Sequence, residues 1–128
     1  MTEGLRIVIV EDDALIAMDL ADLLIGMGHD VRAIAGTEAE AVAAAIRCKP
    51  NLMIVDGNLA EGSGVSAMHR ILARAFVAHL YVTGDTAQIQ RAVPDAVVVT
   101  KPFSMLGLSN GIAAALRAPT ERPSPQGK

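Results

Sequence analysis

An α/β fold built on one parallel sheet is what this sequence predicts, and three observations predict it. Short β-branched runs alternate with longer Ala/Leu-rich segments at helical period, the pattern of consecutive βαβ units. Acidic or reactive positions fall where the apolar runs end: Glu11-Asp12-Asp13 closes Leu5 to Val10, Asp56 closes Leu52 to Val55, Thr83 closes Leu80 to Val82, and Lys101-Pro102 follows Ala96 to Val99. Parallel strands would bring all these groups to one carboxyl edge, where open α/β sheets place their ligands. The third observation is composition: 128 residues, 52% apolar but only 2% aromatic, make one domain whose core must be Ala, Val, Ile, Leu and Met.

After the first run, Ile16, Leu20, Leu23, Leu24 and Met27 recur at helical spacing with Asp19 and Asp22 on the other face. Asp13 is placed to N-cap this helix, and Gly26 and Gly28 to stop it. His29 to Ala35 reads as a weaker second strand, and Thr37 to Arg47 as a helix whose Thr37-Glu38-Ala39-Glu40 start suits a capping box. Pro50-Asn51 ends that unit, and a polar, glycine-bearing loop from Gly57 to Gly64 follows the third strand before a helix from Val65 to Ala75. The fourth strand, Ala78 to Val82, leads into a meagre crossover, Gly84 to Asp95, cut by Pro94; a helix there can be two turns at most. Ser104 to Arg117 forms the last helix, with Met105, Leu108, Ile112, Ala115 and Leu116 inward. Residues 118–128 carry three prolines among Ser, Gly and Gln, so the domain is expected to span 4–117 and the rest to be a disordered tail.

A net charge of −3 and a pI near 5.5 argue against nucleic acid as the main partner, because phosphate-backbone binding needs clustered Lys and Arg. One cysteine, Cys48, cannot form an internal disulfide. No apolar stretch reaches the roughly 20 residues of a membrane span, and the N-terminus lacks a signal-peptide layout. A cytoplasmic protein without a membrane partner is the expectation. His29, His69 and His79 lie away from the strand ends and read as surface or helix-face residues, and the six methionines as core filler.

Several carboxylates, a hydroxyl and an ammonium in one crevice suit a divalent cation and a phosphoryl group. Mg²⁺ takes oxygen ligands and is usually held by one or two carboxylates plus phosphate. Glu11, Asp12 and Asp56 can supply the carboxylates, and a backbone carbonyl after Asp56 a further oxygen. A carboxylate can also attack phosphorus, and Lys101 can neutralise the transferred charge.

Val10-Glu11-Asp12-Asp13, Val55-Asp56-Gly57-Asn58-Leu59 with Gly64 eight positions beyond the aspartate, Val82-Thr83-Gly84 and Lys101-Pro102-Phe103 together resemble the receiver domain of two-component response regulators. The resemblance covers about residues 4–117. It implies a doubly wound, flavodoxin-like fold with five strands in the order 2-1-3-4-5. By position it makes Asp56 the phosphoacceptor, Asp12 a direct Mg²⁺ ligand, Glu11 a ligand acting mostly through water, and the Asn58 carbonyl the third protein ligand. Thr83 becomes the hydroxyl that closes on the phosphoryl group and Lys101 its counter-charge. Val98 stands where many receivers have an aromatic, and Ala60 where many have proline. The short stretch before the fifth strand, with Tyr81-Val82-Thr83-Gly84, resembles in part the subgroup named FATGUY after its Phe-Ala-Thr-Gly motif.

The implied function is that of a phosphoacceptor in a phosphorelay, a signalling module and not an enzyme. Its implied partners are a sensor histidine kinase or phosphotransfer protein and a downstream protein target, with the chain a monomer or weak dimer. No DNA-binding or enzymatic output domain follows the last helix in this sequence, so a stand-alone receiver is expected if this is the whole gene product. A flavodoxin-like electron carrier would need a Ser/Thr-rich phosphate loop where this chain has acids, and a Mg²⁺-dependent phosphohydrolase would need a substrate cap for which no insertion is long enough. A degenerate, binding-only receiver is disfavoured by Asp56, Thr83 and Lys101 all being present.

Overall fold

The computed structural model describes residues 4–118. Five strands, β1 (Arg6–Val10), β2 (Asp30–Ala35), β3 (Leu52–Asp56), β4 (Ala78–Thr83) and β5 (Val98–Thr100), pair in parallel in the order β2-β1-β3-β4-β5. Between them run α1 (Ala14–Gly26), α2 (Glu38–Cys48), α3 (Gly64–Leu72) and α4 (Thr86–Ala92), and α5 (Met105–Arg117) closes the domain. The strand order is the expected one. It reverses direction between β1 and β3, so a crevice opens at the carboxyl ends of those two strands.

Side-chain alternation along the strands builds two cores. Val8, Val10, Met53, Val55 and Tyr81 face the small residues Ala41, Ala44 and Ala67 together with Met68, Ile71 and Ile89, contributed by α2, α3 and α4. Ile7, Ile9, Leu52, Ile54, Leu80 and Val82 face Leu20 and Leu24 of α1 and Leu108 and Ile112 of α5. Central strands covered on both faces must be apolar at every position, which is why β1 and β3 read as unbroken runs. Residues 7–10 and 52–55 are accordingly no more than 1% exposed. Burying each such Leu or Ile side chain stabilises the fold by roughly 1.5–3 kcal/mol.

Local chemistry sets the helix boundaries. Asp13 caps α1 as expected, its Oδ1 accepting from the Leu15 and Ile16 amides at 3.0 and 3.2 Å. Thr37 caps α2 through the Glu40 amide at 3.1 Å, but Glu40 reaches back to the Gly36 amide at 2.8 Å instead of the cap residue's own. The end of α2 is Lys49, left-handed at φ 48°, whose carbonyl accepts from the Arg6 guanidinium at 3.0 and 3.3 Å. The crossover before β5 forms α4, seven residues long and so about two turns, with Ile89 its buried residue.

Some expected burial is not found. Met105 and Leu116 are 55% and 45% exposed, because the buried stripe of α5 is Leu108, Gly111, Ile112 and Ala115. Met105 opens the helix beyond the carboxyl edge of the sheet, and Leu116 lies about 100° around from Ala115. Met18 is likewise 60% exposed, leaving Met53, Met68 and partly Met27 to fill the core. His79 is neither a surface nor a helix-face residue: it lies half-buried in β4, edge-on to Tyr81, with Nδ1 2.8 Å from the Val77 carbonyl oxygen, and burial pushes its pKa down. All but the first residue of the expected tail, 119–128, lies outside the described residues.

Candidate functional site

The carboxyl ends of β1, β3, β4 and β5 bring Glu11, Asp12, Asp56, Thr83 and Lys101 to one edge. Glu11 follows β1 directly and its amide donates to the Ala35 carbonyl of β2 at 2.8 Å, which turns its side chain into the crevice at 5% exposure. Asp12 beside it is exposed. Asp56 is the last residue of β3, 8% exposed, and Thr83 the last of β4, 1% exposed. Lys101 is set against β4 by its amide, which donates to the Thr83 carbonyl at 2.8 Å, and a cis peptide joins it to Pro102.

The Lys101 ammonium donates to Glu11 Oε1 at 2.9 Å and to Asp56 Oδ2 at 3.4 Å. Carboxylate oxygens of Glu11, Asp12 and Asp56 all lie within 4.8 Å of one another. Three acids against one ammonium leave excess negative charge in a crevice where Glu11 and Asp56 are nearly buried and Asp12 is exposed. Burial, reinforced by Asp56, pushes the Glu11 carboxyl up from 4.5 to about 7, although Lys101 and the Asp13 amide pull the other way. For Lys101 burial works against the charge, but Glu11 and Asp56 outweigh it and hold the pKa above its ordinary value. The site therefore keeps its ammonium and is short of positive charge. Oxygen-only donors this close together, one of them raised chiefly by burial and further by Asp56, fit a hard divalent cation such as Mg²⁺.

The loop after β3 closes over the crevice. The Asn58 amide donates to Asp56 Oδ1 at 3.1 Å, Asn58 bridges to Ser63, and the Gly64 amide donates to the Gly57 carbonyl at 3.2 Å. A side chain at Gly64 would collide with the Asp56 carbonyl and the Val55 methyl, so only glycine lets the loop return this tightly. The Thr83 hydroxyl accepts from the Asp85 amide at 3.0 Å, and Asp85 in turn caps α4 through the Gln88 amide at 3.1 Å. Asn58 Nδ2 donates to Gln88 Oε1 at 3.3 Å. Every site residue expected from sequence thus sits on this edge. Sequence reasoning missed Asp85, although its place before a short helical segment signals a cap, and Gln88, whose contact with Asn58 across 30 residues is fixed only once β3 and β4 are side by side.

A groove of about 510 Å³ between the C-terminal ends of α2 and α3, lined by Ala45, Ile46, Lys49, Ile71 and Arg74, lies at the opposite end from the carboxylates. Being away from every acid and hydroxyl just described, it does not bear on their chemistry.

No family model matches the chain. The receiver domain of PhyR from Erythrobacter litoralis, solved by NMR, superposes with a TM-score of 0.83 at 32% identity, covering 94% of this chain and 98% of that one. This chain is a response-regulator receiver domain. The phyllosphere-induced regulator PhyR of Methylorubrum extorquens is 38% identical over 116 residues, which is 87% of this receiver and 43% of that protein. The transcriptional regulatory protein PdtaR of Mycobacterium tuberculosis is 32% identical over 115 residues, 56% of its length. The receiver thus spans about half the length of the curated relatives it matches. Membership places it in two-component signalling. Among the described residues no helix is long and apolar enough to cross a membrane.

Proposed function

We propose that this receiver is a phosphorylation-controlled switch that accepts a phosphoryl group on Asp56, from a histidine kinase or phosphotransfer protein, and signals through protein contacts. The observation that carries the reading is the placement of Asp56: a nearly buried carboxylate whose Oδ2 meets the Lys101 ammonium and whose Oδ1 meets the Asn58 amide. In the transfer, an Asp56 oxygen forms the O–P bond as the donor's P–N bond breaks, and the electron pair of that bond returns to the imidazole nitrogen. Lys101 lies where it can neutralise the transferred oxygens, and the tight loop from Asp56 to Gly64 holds the acceptor oxygen in place.

Asp12 and Asp56, with Glu11 behind them and the Asn58 carbonyl in the adjoining loop, are the residues that would hold Mg²⁺. Bound there, the cation supplies charge neutralisation for the phosphoryl oxygens. The Thr83 hydroxyl, at the end of the neighbouring strand, is the group that would turn to the acquired phosphate. With Val98 in β5 in place of an aromatic, the response falls to the 84–95 segment that contains α4. A downstream protein target agrees with the description of a PhyR relative from Bartonella quintana as an anti-anti-sigma factor.

The test is incubation with acetyl phosphate and Mg²⁺ followed by intact mass. One phosphoryl adduct, lost on Asp56→Asn, is expected. Undiminished labelling of that variant, or an acid-stable phosphate on Ser or Thr, overturns the assignment.

A further inference from the structure

Glu38 opens α2, 25 residues before Ser63 in sequence, yet its carboxylate accepts three hydrogen bonds from the end of the β3–α3 loop and from α3. Oε1 accepts from the Ser63 amide at 3.1 Å. Oε2 accepts from the Ser66 hydroxyl at 2.7 Å and from Arg70 Nη1 at 3.1 Å. The Glu38 amide donates to the Glu61 carbonyl at 3.2 Å. A single residue therefore grips the return limb of the β3–α3 loop from residue 61 to α3. The hydrogen bond from Ser66, then that from Ser63, then Arg70 hold the Glu38 carboxyl below its ordinary range, so it stays an acceptor at neutral pH. The loop is shaped to admit it: Gly62 is at φ +83°, and a Cβ there would come within 2.6 Å of Glu38 Oε1.

What Glu38 grips is linked to Asp56 through Asn58. Ser63 bridges antiparallel to Asn58, and the Asn58 amide donates to Asp56 Oδ1 at 3.1 Å. We infer that Glu38 is a positioning residue for the phosphoacceptor site, clamping Ser63 so that Asn58 presents its backbone carbonyl to the divalent cation and its amide to Asp56. This rests on the proposed phosphoacceptor reading and extends it to a residue on α2 that touches neither metal nor phosphate. A helix-capping role alone does not explain the arrangement, because Thr37 caps α2 and Ser63 caps α3 with their own hydroxyls, at 3.1 and 2.9 Å from the amides they accept from.

The experiment compares the parent chain with Glu38→Ala, Glu38→Gln and the control Glu40→Gln, whose side chain holds the Gly36 amide and not the β3–α3 loop. Mg²⁺ affinity is measured by titration calorimetry, and acetyl-phosphate labelling by intact mass at limiting and saturating Mg²⁺. Glu38→Ala is expected to weaken Mg²⁺ about tenfold, the lower end for residues that orient metal ligands. Its labelling should be slow at limiting Mg²⁺ and return to the parental rate at saturation, while Glu40→Gln keeps parental affinity. A purely structural role would lower the melting temperature without that metal-dependent rescue. Glu38→Ala binding Mg²⁺ within twofold of the parent overturns the clamp. If the alanine variant does not fold, Glu38→Gln decides, since its amide keeps one acceptor and loses the other; parental affinity in that variant also overturns the clamp. A parent that neither binds Mg²⁺ nor gains phosphate defeats the phosphoacceptor reading itself, a result distinct from both.

Discussion

Replacing Glu11 with glutamine should change how the metal-free protein responds to pH, and the sign is fixed by the crevice. Glu11 has its pKa raised from 4.5 to about 7, chiefly by burial and further by Asp56. An acid whose pKa is raised on folding binds its proton more tightly in the folded state. Its contribution is fully present below about pH 4.5 and is lost as pH rises through about 7. At 1.36 kcal/mol per unit the whole shift would amount to roughly 3 kcal/mol. Water reaching the crevice beside the exposed Asp12 screens part of it, so about 1–2 kcal/mol is the expected loss. For a domain of this size that is a fall of roughly 4–10 °C in melting temperature between pH 5 and pH 8.

His79 acts in the opposite sense. Burial lowers its pKa, so its contribution is present above about 6.5 and lost as pH falls. Both proteins carry His79, and the difference between their melting curves isolates position 11. Circular-dichroism melts in a chelator, at several pH values from 5 to 8, are the assay. Parent and Glu11→Gln should diverge by those few degrees towards pH 8, with the variant the flatter. Parallel curves across the range would refute the account of a buried, proton-hungry carboxyl. Excess Mg²⁺ should reverse the parental slope, because the cation competes with protons for the same oxygens and binds more tightly as they leave.

Two further expectations concern the same edge. Mg²⁺ should raise the melting temperature of the parent by mass action, and Asp12→Ala should abolish most of that rise; a variant stabilised as strongly as the parent would remove Asp12 from the metal site. Hydrogen exchange over residues 84–95 should quicken when a phosphoryl mimic is bound, because Thr83 then leaves the Asp85 amide it holds at 3.0 Å, and Thr83→Ala should remove the change; equal protection in both states would place the readout elsewhere.

The parts of the fold legible in sequence are those whose cause is local or periodic. β1 and β3 announce themselves because strands covered on both faces must be apolar throughout, and Asp56 is conspicuous because it closes such a run. Asp13 as a cap follows from its place before a periodic segment. What was not legible depends on partners distant in the chain. Glu38 meets Ser63, Ser66 and Arg70 at separations of 25, 28 and 32 residues, and Asn58 meets Gln88 at 30, contacts that no local pattern encodes. Burial on α5 was misjudged for a geometric reason, since helical periodicity marks an apolar face but not how far the helix overhangs a strand of only three residues.

The same wiring indicates why a short helix can serve as the responsive element in the proposed switch. The Thr83 hydroxyl is held by the Asp85 amide at 3.0 Å, and Asp85 is the N-cap of α4. That neutral hydrogen bond contributes about 0.5–1.5 kcal/mol, whereas one to a charged phosphoryl oxygen contributes about 1.5–3 kcal/mol. The competition therefore favours the phosphate, and turning Thr83 towards it strips the Asp85 amide of its acceptor. A seven-residue helix cannot sustain itself by its own hydrogen bonds and depends on its packing, here Ile89, and on its cap. Disturbing the residue that carries the cap thus changes a large part of what holds α4 in place. Asn58 adds a second tie, because the residue whose backbone would face the cation also bonds Gln88 on α4 through its side chain. Metal and phosphate would reach α4 by separate routes, from β3 through Asn58 and from β4 through Thr83, and Val98 in β5 need not take part in either.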